Sequence, residues 1–409
     1  MGGIKLRSLL PGLFISGILS AFALGMPAEA FSSGELVPER HIRVAVLKDA
    51  REFRLSVRGP YQLIDPSSGT VLSEGRRLKE SWVGSTPTGM KVGDFEFPVK
   101  LIRILTGKDI VVDINNRARH FRGEIDIIKD SKGNFLVVNS LGIEEYVRGV
   151  LYHEVSHRWP MEALKAQAVA ARTYALDRMG KNIRQPFDVT SDIYSQVYGG
   201  KSAERYRTNI AVRQTEGRIL TYRGKILPAY FHAACGGHTE NAGELWNEDL
   251  PPLKGVPCPF CSHSPHSSWK RNFRLKDIQD KLNAKGYNLG LIKEINVTQR
   301  NQSGRIKKVE IVARDGRRVT ISGKDFRAIV GPNDLKSNHY EIILQGYYVD
   351  MIGQGWGHGV GLCQWGTLEM SRQKYSYSEI LQYYYPGTEI VDCRIIPAGT
   401  AKTNPKNKP

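Results

Sequence analysis

An α+β fold is predicted by three patterns in this 409-residue sequence. Apolar residues alternate with period two from Ile42 through Val137, broken by turn clusters. The spacing then changes to three and four residues at Ile143 and holds to about Met179. Beyond Asp188, short hairpin and helix patterns mix with long loops. The length calls for two or three compact units. The expected division is an export signal over 1–30, a β-rich unit over 31–120, a helix-containing unit with hairpins and long loops over 121–395, and a basic tail over 396–409.

The β-rich unit opens with Ile42, Val44 and Val46, then Phe53, Leu55 and Val57, then Tyr61 and Leu63. Asp-Pro-Ser-Ser-Gly at 65–69 is turn chemistry. Ile125 and Ile127 pair across the turn 130–133 with Phe135 and Val137 as a hairpin. A helix follows, with Ile143, Tyr146, Val147, Val150 and Leu151 on one face. His-Glu-Val-Ser-His at 153–157 interrupts it, and Pro160 suits the start of a second helix. That helix runs to about Met179, with Gly180 as its cap and Leu164, Ala168, Ala171 and Ala175 as a narrow face of small residues.

Further helix is expected around 202–215, 277–284 and 378–385. Strands are expected at 219–222 and 227–231, and a hairpin joins 309–313 to 319–321. The Pro-, Cys-, His- and Ser-rich stretch 241–269 reads as a long loop, and 353–366 is dominated by glycine. The tail is basic and poor in apolar residues, the composition of a disordered segment.

Apolar content of 41% and charged content of 24% are ordinary for globular chains, but the net charge of +17 is not. Such a balance favours an anionic partner. No dense Lys/Arg block marks a nucleic-acid arm, and the N-terminus argues against a nucleic-acid role. There Lys5 and Arg7 precede an apolar run, Leu9 to Leu24, and an A-x-A site ends at Ala30. Cleavage near Ala30 and export to the periplasm or cell surface are expected; an uncleaved anchor is the alternative.

Three stretches carry candidate chemistry. Glu154 is a lone acid at a helix junction, where a partly apolar site raises a carboxyl's pKa for proton transfer. A capping or salt-bridged glutamate occupies the same kind of position. Asp188 and Asp192 could supply a second carboxylate for glycoside hydrolysis. Cys235, His238, Cys258 and Cys261 have zinc-ligand types at zinc-ligand spacing, which suggests a structural zinc. Disulfides are the alternative, and the odd total of five cysteines leaves at least one thiol or a metal ligand set to explain. In the glycine-rich stretch, Trp356, His358, Gln364 and Trp365 suit carbohydrate, whereas the P-loop lysine is missing. A tight turn packed under the site is the plainer reading of those glycines. No G-x-S-x-G elbow is present.

Taken in order, EEYVRGVLYHEVSHRWPMEALKAQAVAARTYAL, DVTSDIYSQVYGG, FHAACGGHTEN, the Ser303-Gly304-Arg305 triplet and GWGHGVGLCQWG resemble the SpoIID family, which includes stage II sporulation protein D and amidase enhancers. The resemblance covers about Ile42 to Tyr385 and makes 121–395 the catalytic unit. It implies a peptidoglycan lytic transglycosylase acting on peptide-stripped glycan strands, with Glu154 as the catalytic acid. It further implies Lys165, Gln167, Arg172, Ser195, Gln196 and Tyr198 as substrate-binding residues, joined by His358 and Gln364 from the glycine-rich stretch. The amidase-enhancer relatives suggest a second role, as a non-catalytic activator of a cell-wall amidase. Cys363 departs from the serine that many members carry.

Overall fold

The computed structural model describes residues 40–192, 195–246 and 248–395. The expected export signal and the tail from 396 lie outside them. All described residues belong to one compact unit, Glu39–Pro409. The architecture is α+β, as the patterning predicts.

The alternating segments form two sheets over one core. The first has seven strands, in the order Val189–Thr190, His41–Ala50, Phe135–Gly142, Glu124–Lys129, Leu101–Leu105, Tyr61–Asp65 and Thr70–Gly75. It takes strands from both sides of residue 120. The second has six, including Glu52–Val57, Leu78–Ser85 and Ile110–Ile114. Ile42, Val44, Leu55, Val57, Val83, Val112 and Ile127 from these sheets are buried together. The expected turns form as their residues suggest. Asp65 accepts from the backbone N–H of Ser67 at 2.9 Å, and Asp130 accepts from those of Lys132 and Asn134 at 2.8 Å each.

One pairing positions the site. His41–Ala50 runs antiparallel to Phe135–Gly142, with His41 opposite Gly142. Gly142 is also the N-cap of helix α1, Ile143–Glu154, and Ile143 N–H donates to Arg40 at 3.0 Å. The sheet therefore fixes where α1 starts, and its length fixes where α1 ends, at Glu154. Ile143, Tyr146, Val147, Val150 and Leu151 are buried in the sheet core, as their spacing predicts.

Helix α2 spans Met161–Lys181. Pro160 is its N-cap rather than its first helical residue, and its carbonyl accepts from Ala163 and Leu164. Gly180 is helical, and Asn182 closes the helix by donating to the Arg178 carbonyl at 2.9 Å. The predicted face of Leu164, Ala168, Ala171 and Ala175 joins the sheet core. The opposite face is buried as well: Ala166, Val169, Ala170 and Tyr174 enter a second core. A helix buried all round separates two cores rather than lying on one. Small side chains let both cores approach its backbone.

Helix α3 (Tyr206–Gln214) packs beside α1 and α2. After Arg218–Tyr222 the expected strand 227–231 does not form; only Lys225–Ile226 and Phe231–His232 are strands. Pro228 has no N–H to give a ladder, so the chain leaves the sheet there. The expected loop 241–269 contains a short helix, α4 (Ala242–Trp246).

A third core lies over 269–351, where two three-stranded sheets pack with α5 (Leu275–Asn283) and α6 (Gly323–Val330). The expected hairpin is there, with Val309 opposite Ile321. The strand Tyr348–Gly353 then feeds the glycine-rich stretch. That stretch ends in α7 (Gln364–Arg372), which its glycines conceal in the sequence. Last comes α8 (Tyr377–Tyr384), started by a capping box between Ser376 and Glu379. Both helices close the second core.

Candidate active site

Glu154 is the last residue of α1, and Val155 after it is extended. The turn to α2 is held from outside. Arg207 on α3 donates to the carbonyls of His157 at 3.0 Å and Trp159 at 2.9 Å. Nothing in the local spacing announces that role for Arg207. The Glu154 carboxyl accepts two hydrogen bonds: from Val197 N–H at 3.2 Å and, at the long end of the range, from Gln364 Nε2 at 3.5 Å. Among the described residues no salt bridge reaches it. Desolvation pushes its pKa from 4.5 up to about 7, outweighing the two bonds, which favour the anion. Its place at a helix C-terminus, the negative end of the dipole, works in the same direction.

Gln364 settles where the glycine-rich stretch goes. It brings that stretch to Glu154 across the molecule, and Trp365 beside it meets Trp159 edge-on with ring centroids 5.6 Å apart. A cavity of about 420 Å³ has Ser195, two residues before Val197, in its wall. That wall also includes Tyr230, Trp246, His358 and, from α2, Tyr174 and Arg178. Trp246 packs on Tyr230 at 4.5 Å and on His358 at 5.0 Å. Burial lowers the His358 pKa to about 4, so the ring is neutral, and its Nδ1 accepts from Val360 N–H at 3.0 Å. Arg178 donates to Tyr230 Oη at 3.2 Å. Aromatic faces beside polar groups are what a sugar ring requires. Arg178, Tyr230 and Trp246 were not singled out as binding residues by sequence.

Other candidates are placed differently. Arg172 is fully buried and forks onto both oxygens of Glu144 at 2.7 Å each, with a third bond to the Arg218 carbonyl at 3.0 Å. It is a core ion pair, not a substrate contact. Both faces of the middle of α2 are covered, which leaves Arg172 no route to solvent. Tyr198 stacks on Tyr146 and donates to Asn139 at 2.8 Å within the sheet core. Gln196 is buried too and accepts from Tyr146 Oη at 2.9 Å. These two hold the segment that carries Val197 rather than facing a ligand. Gln167 is buried, and neither polar atom of its side chain has a partner. Lys165 keeps some exposure and pairs with Glu162 at 2.8 Å. Asp188 is taken by Arg43 at 2.6 Å, and Asp192 by Thr190 at 2.7 Å and Lys48 at 3.7 Å.

The sulfur atoms of Cys235, Cys258, Cys261 and Cys363 lie within 4.8 Å of one another, all buried. His238 is not among them; its Nδ1 lies 2.6 Å from the Thr239 carbonyl. Cys363 takes the place given to His238 in the sequence reading, because the strand Leu362–Cys363 pairs with Phe231–His232 and carries it in from far along the chain. All five cysteines are free thiols, so the disulfide alternative is not seen. The fifth, Cys393, sits apart in the sheet core, which accounts for the odd count. Four buried thiols this close could hold a metal ion.

Comparison with known proteins agrees with the motifs. The profile of the stage II sporulation protein family matches residues 131–222, from the second strand of the hairpin through α2 to the strand after α3. A domain of unknown function matches 262–361, which includes most of the third core. An uncharacterised protein of Brachyspira hyodysenteriae is 40% identical over 352 residues, 86% of this chain and 93% of its own length. Stage II sporulation protein D of Bacillus amyloliquefaciens is 33% identical over 62% of this chain and 75% of its own. A Bacillus subtilis protein named amidase enhancer is 28% identical over 60% of this chain and 40% of its own. The chain belongs to the SpoIID family, and its role is related to the cell wall.

Proposed function

We propose that this protein is an exported peptidoglycan lytic transglycosylase that cleaves the β-1,4 bond between N-acetylmuramic acid and N-acetylglucosamine in peptide-stripped strands. The observation that carries the reading is Glu154: a desolvated carboxyl with a pKa raised to about 7, bonded among the described residues to a backbone amide and a side-chain amide. Near neutrality such a group is available both as an acid and as a base.

In this reading neutral Glu154 donates its proton to the glycosidic oxygen. The bond to C1 of the muramic acid breaks, leaving an oxocarbenium-like centre. The Glu154 carboxylate then takes the proton of the same sugar's C6 hydroxyl, whose oxygen closes on C1. The product is a 1,6-anhydro end, formed without water. Ordinary hydrolysis uses a second carboxylate. Here Asp188 and Asp192 are engaged elsewhere, which favours the single-acid route. Val197 N–H and Gln364 Nε2 stabilise the carboxylate between the two steps. The aromatic cavity would seat neighbouring sugars, and the net charge of +17 suits strands bearing free lactyl carboxylates.

A second reading is a non-catalytic partner of a cell-wall amidase, favoured by the relative named amidase enhancer. Mass spectrometry of peptide-free strands separates the two. The enzyme yields anhydro-muramic ends, and Glu154→Gln abolishes them. No such ends with the unaltered protein, or ends that persist in Glu154→Gln, overturn the catalytic reading.

A further inference from the structure

The thiol cluster and Glu154 are joined by one peptide bond and one side chain. Cys363 and Gln364 are consecutive; the first lies in the cluster and the second touches the carboxyl. We propose that Cys363 is the fourth thiolate of a zinc site with Cys235, Cys258 and Cys261, and that this site fixes Gln364 against Glu154. The second half rests on the catalytic reading of Glu154; the first half does not.

The donor set fits the ion. Zinc–sulfur bonds of about 2.3 Å place tetrahedral sulfurs about 3.8 Å apart. Here all four lie within 4.8 Å, with Cys235 and Cys261 at 3.4 Å. Cys258 and Cys261 sit on a tight turn with Pro259 between them, and Cys235 precedes two glycines with positive φ. Cys363 Sγ accepts backbone N–H bonds from Cys235 at 3.3 Å and from Gly366 at 3.4 Å.

Four thiolates around a divalent ion leave two negative charges. Arg305 lies beside them, almost wholly buried, donating to the carbonyls of Cys235 and of His238, the latter at 2.8 Å. Its Nε has no partner. A buried cation needs a nearby anion; Glu240 is the first such charge acting on Arg305, and a charged cluster would add to it. The glycine-rich stretch lies directly on this arginine: a Cβ at Gly359 would stand 2.6 Å from the Arg305 guanidinium carbon. A Cβ at Gly366 would meet the Tyr384 hydroxyl at 2.0 Å and Cys258 Sγ at 2.9 Å. The backbone carrying Gln364 is thus pressed onto the cluster from both sides.

The cluster ties three segments that are distant in sequence: 231–240, 256–264 and 362–366. Without an ion the four sulfurs no longer share a centre, and 362–366 is held to the segment around 231 by backbone pairing. Gln364 is then less firmly anchored even though it ligates nothing.

The test uses the full-length protein. Metal analysis is expected to find one zinc per chain, and cobalt exchanged for it to give the absorption of four-thiolate coordination. Cys363→Ser weakens cobalt binding roughly 100-fold and shifts the spectrum, while His238→Ala changes neither. Removing the metal from the unaltered protein with a chelator raises amide exchange across 362–366, including Gly366. Gln364→Ala keeps the metal and loses the carboxyl contact. Protein that takes up neither zinc nor cobalt overturns the site, and so does a His238→Ala spectrum altered in the way expected of Cys363→Ser. Unchanged exchange across 362–366 after chelation overturns the link to Gln364. None of these readouts uses a glycan, so failure of the transglycosylase reading would be seen separately, and the chelation arm needs no variant that folds poorly.

Discussion

Glu144 and Glu154 stand at opposite ends of one helix and meet opposite fates. Glu144, in the first turn, lies at the positive end of the dipole and takes the full fork of Arg172. Glu154, the last residue, lies at the negative end and among the described residues meets no cation, its partners being an amide N–H and a side-chain amide. The first is built to stay charged and hold α1 against α2. The second is built so that its charge is costly, which is what an acid working near pH 7 needs. Residue type does not separate the two; their partners do.

The comparison predicts that the two glutamates fail in different ways. The largest effect belongs to Glu154→Gln. Loss of a general acid–base removes roughly 10²- to 10⁴-fold of rate, and product analysis should show it with little change in folding. Arg172→Ala should instead remove stability, by about 3–5 kcal/mol, since it leaves Glu144 partly buried without its partner. Denaturant unfolding measures that loss, and kcat of the protein that remains folded should change little. A large drop in kcat at full stability would return Arg172 to the substrate site.

An intermediate effect concerns pH. Because the folded pKa of Glu154, about 7, lies above the unfolded 4.5, the unfolded chain releases its proton first as pH rises. Stability therefore declines between these values and the loss is complete above about 7, amounting to roughly 3 kcal/mol at most. Glu154→Gln should remove this dependence and unfold later than the parent at pH 8. In the proposed reaction the rate should share the sign, falling as pH rises through about 7, where the acid loses its proton. The smallest effect is expected for Gln364→Ala. Its long bond favours the carboxylate, so its loss should move that alkaline limb up by a fraction of a unit. A downward shift would show that Gln364 does not stabilise the anion.

Much of this was readable in the chain. The face of α1, the break after it and the cysteine pair at 258 and 261 are local patterns, set by helical period and turn chemistry over a few residues. Glu154 could be placed at a helix end for that reason. Where the structure departs from the sequence reading, the causes are physical. Arg172 lies on a helix whose period showed one apolar face, but alanine counts weakly as apolar, so the second buried face was hidden. Helix α7 was hidden by the glycines before it, and the strand beyond Leu227 was broken by a proline whose consequence depended on its sheet neighbours.

The sequence by itself determined the α+β class, the family motifs and an acid at the end of a helix, because periodicity and caps act within a few residues. Tertiary structure alone decided that Cys363 rather than His238 joins the thiols, that Gln364 meets Glu154, and that Arg172 is spent on Glu144. Those contacts join residues far apart in the chain. Spacing along a sequence carries no information about which distant segments share a sheet edge or a core, and each of these contacts depends on that.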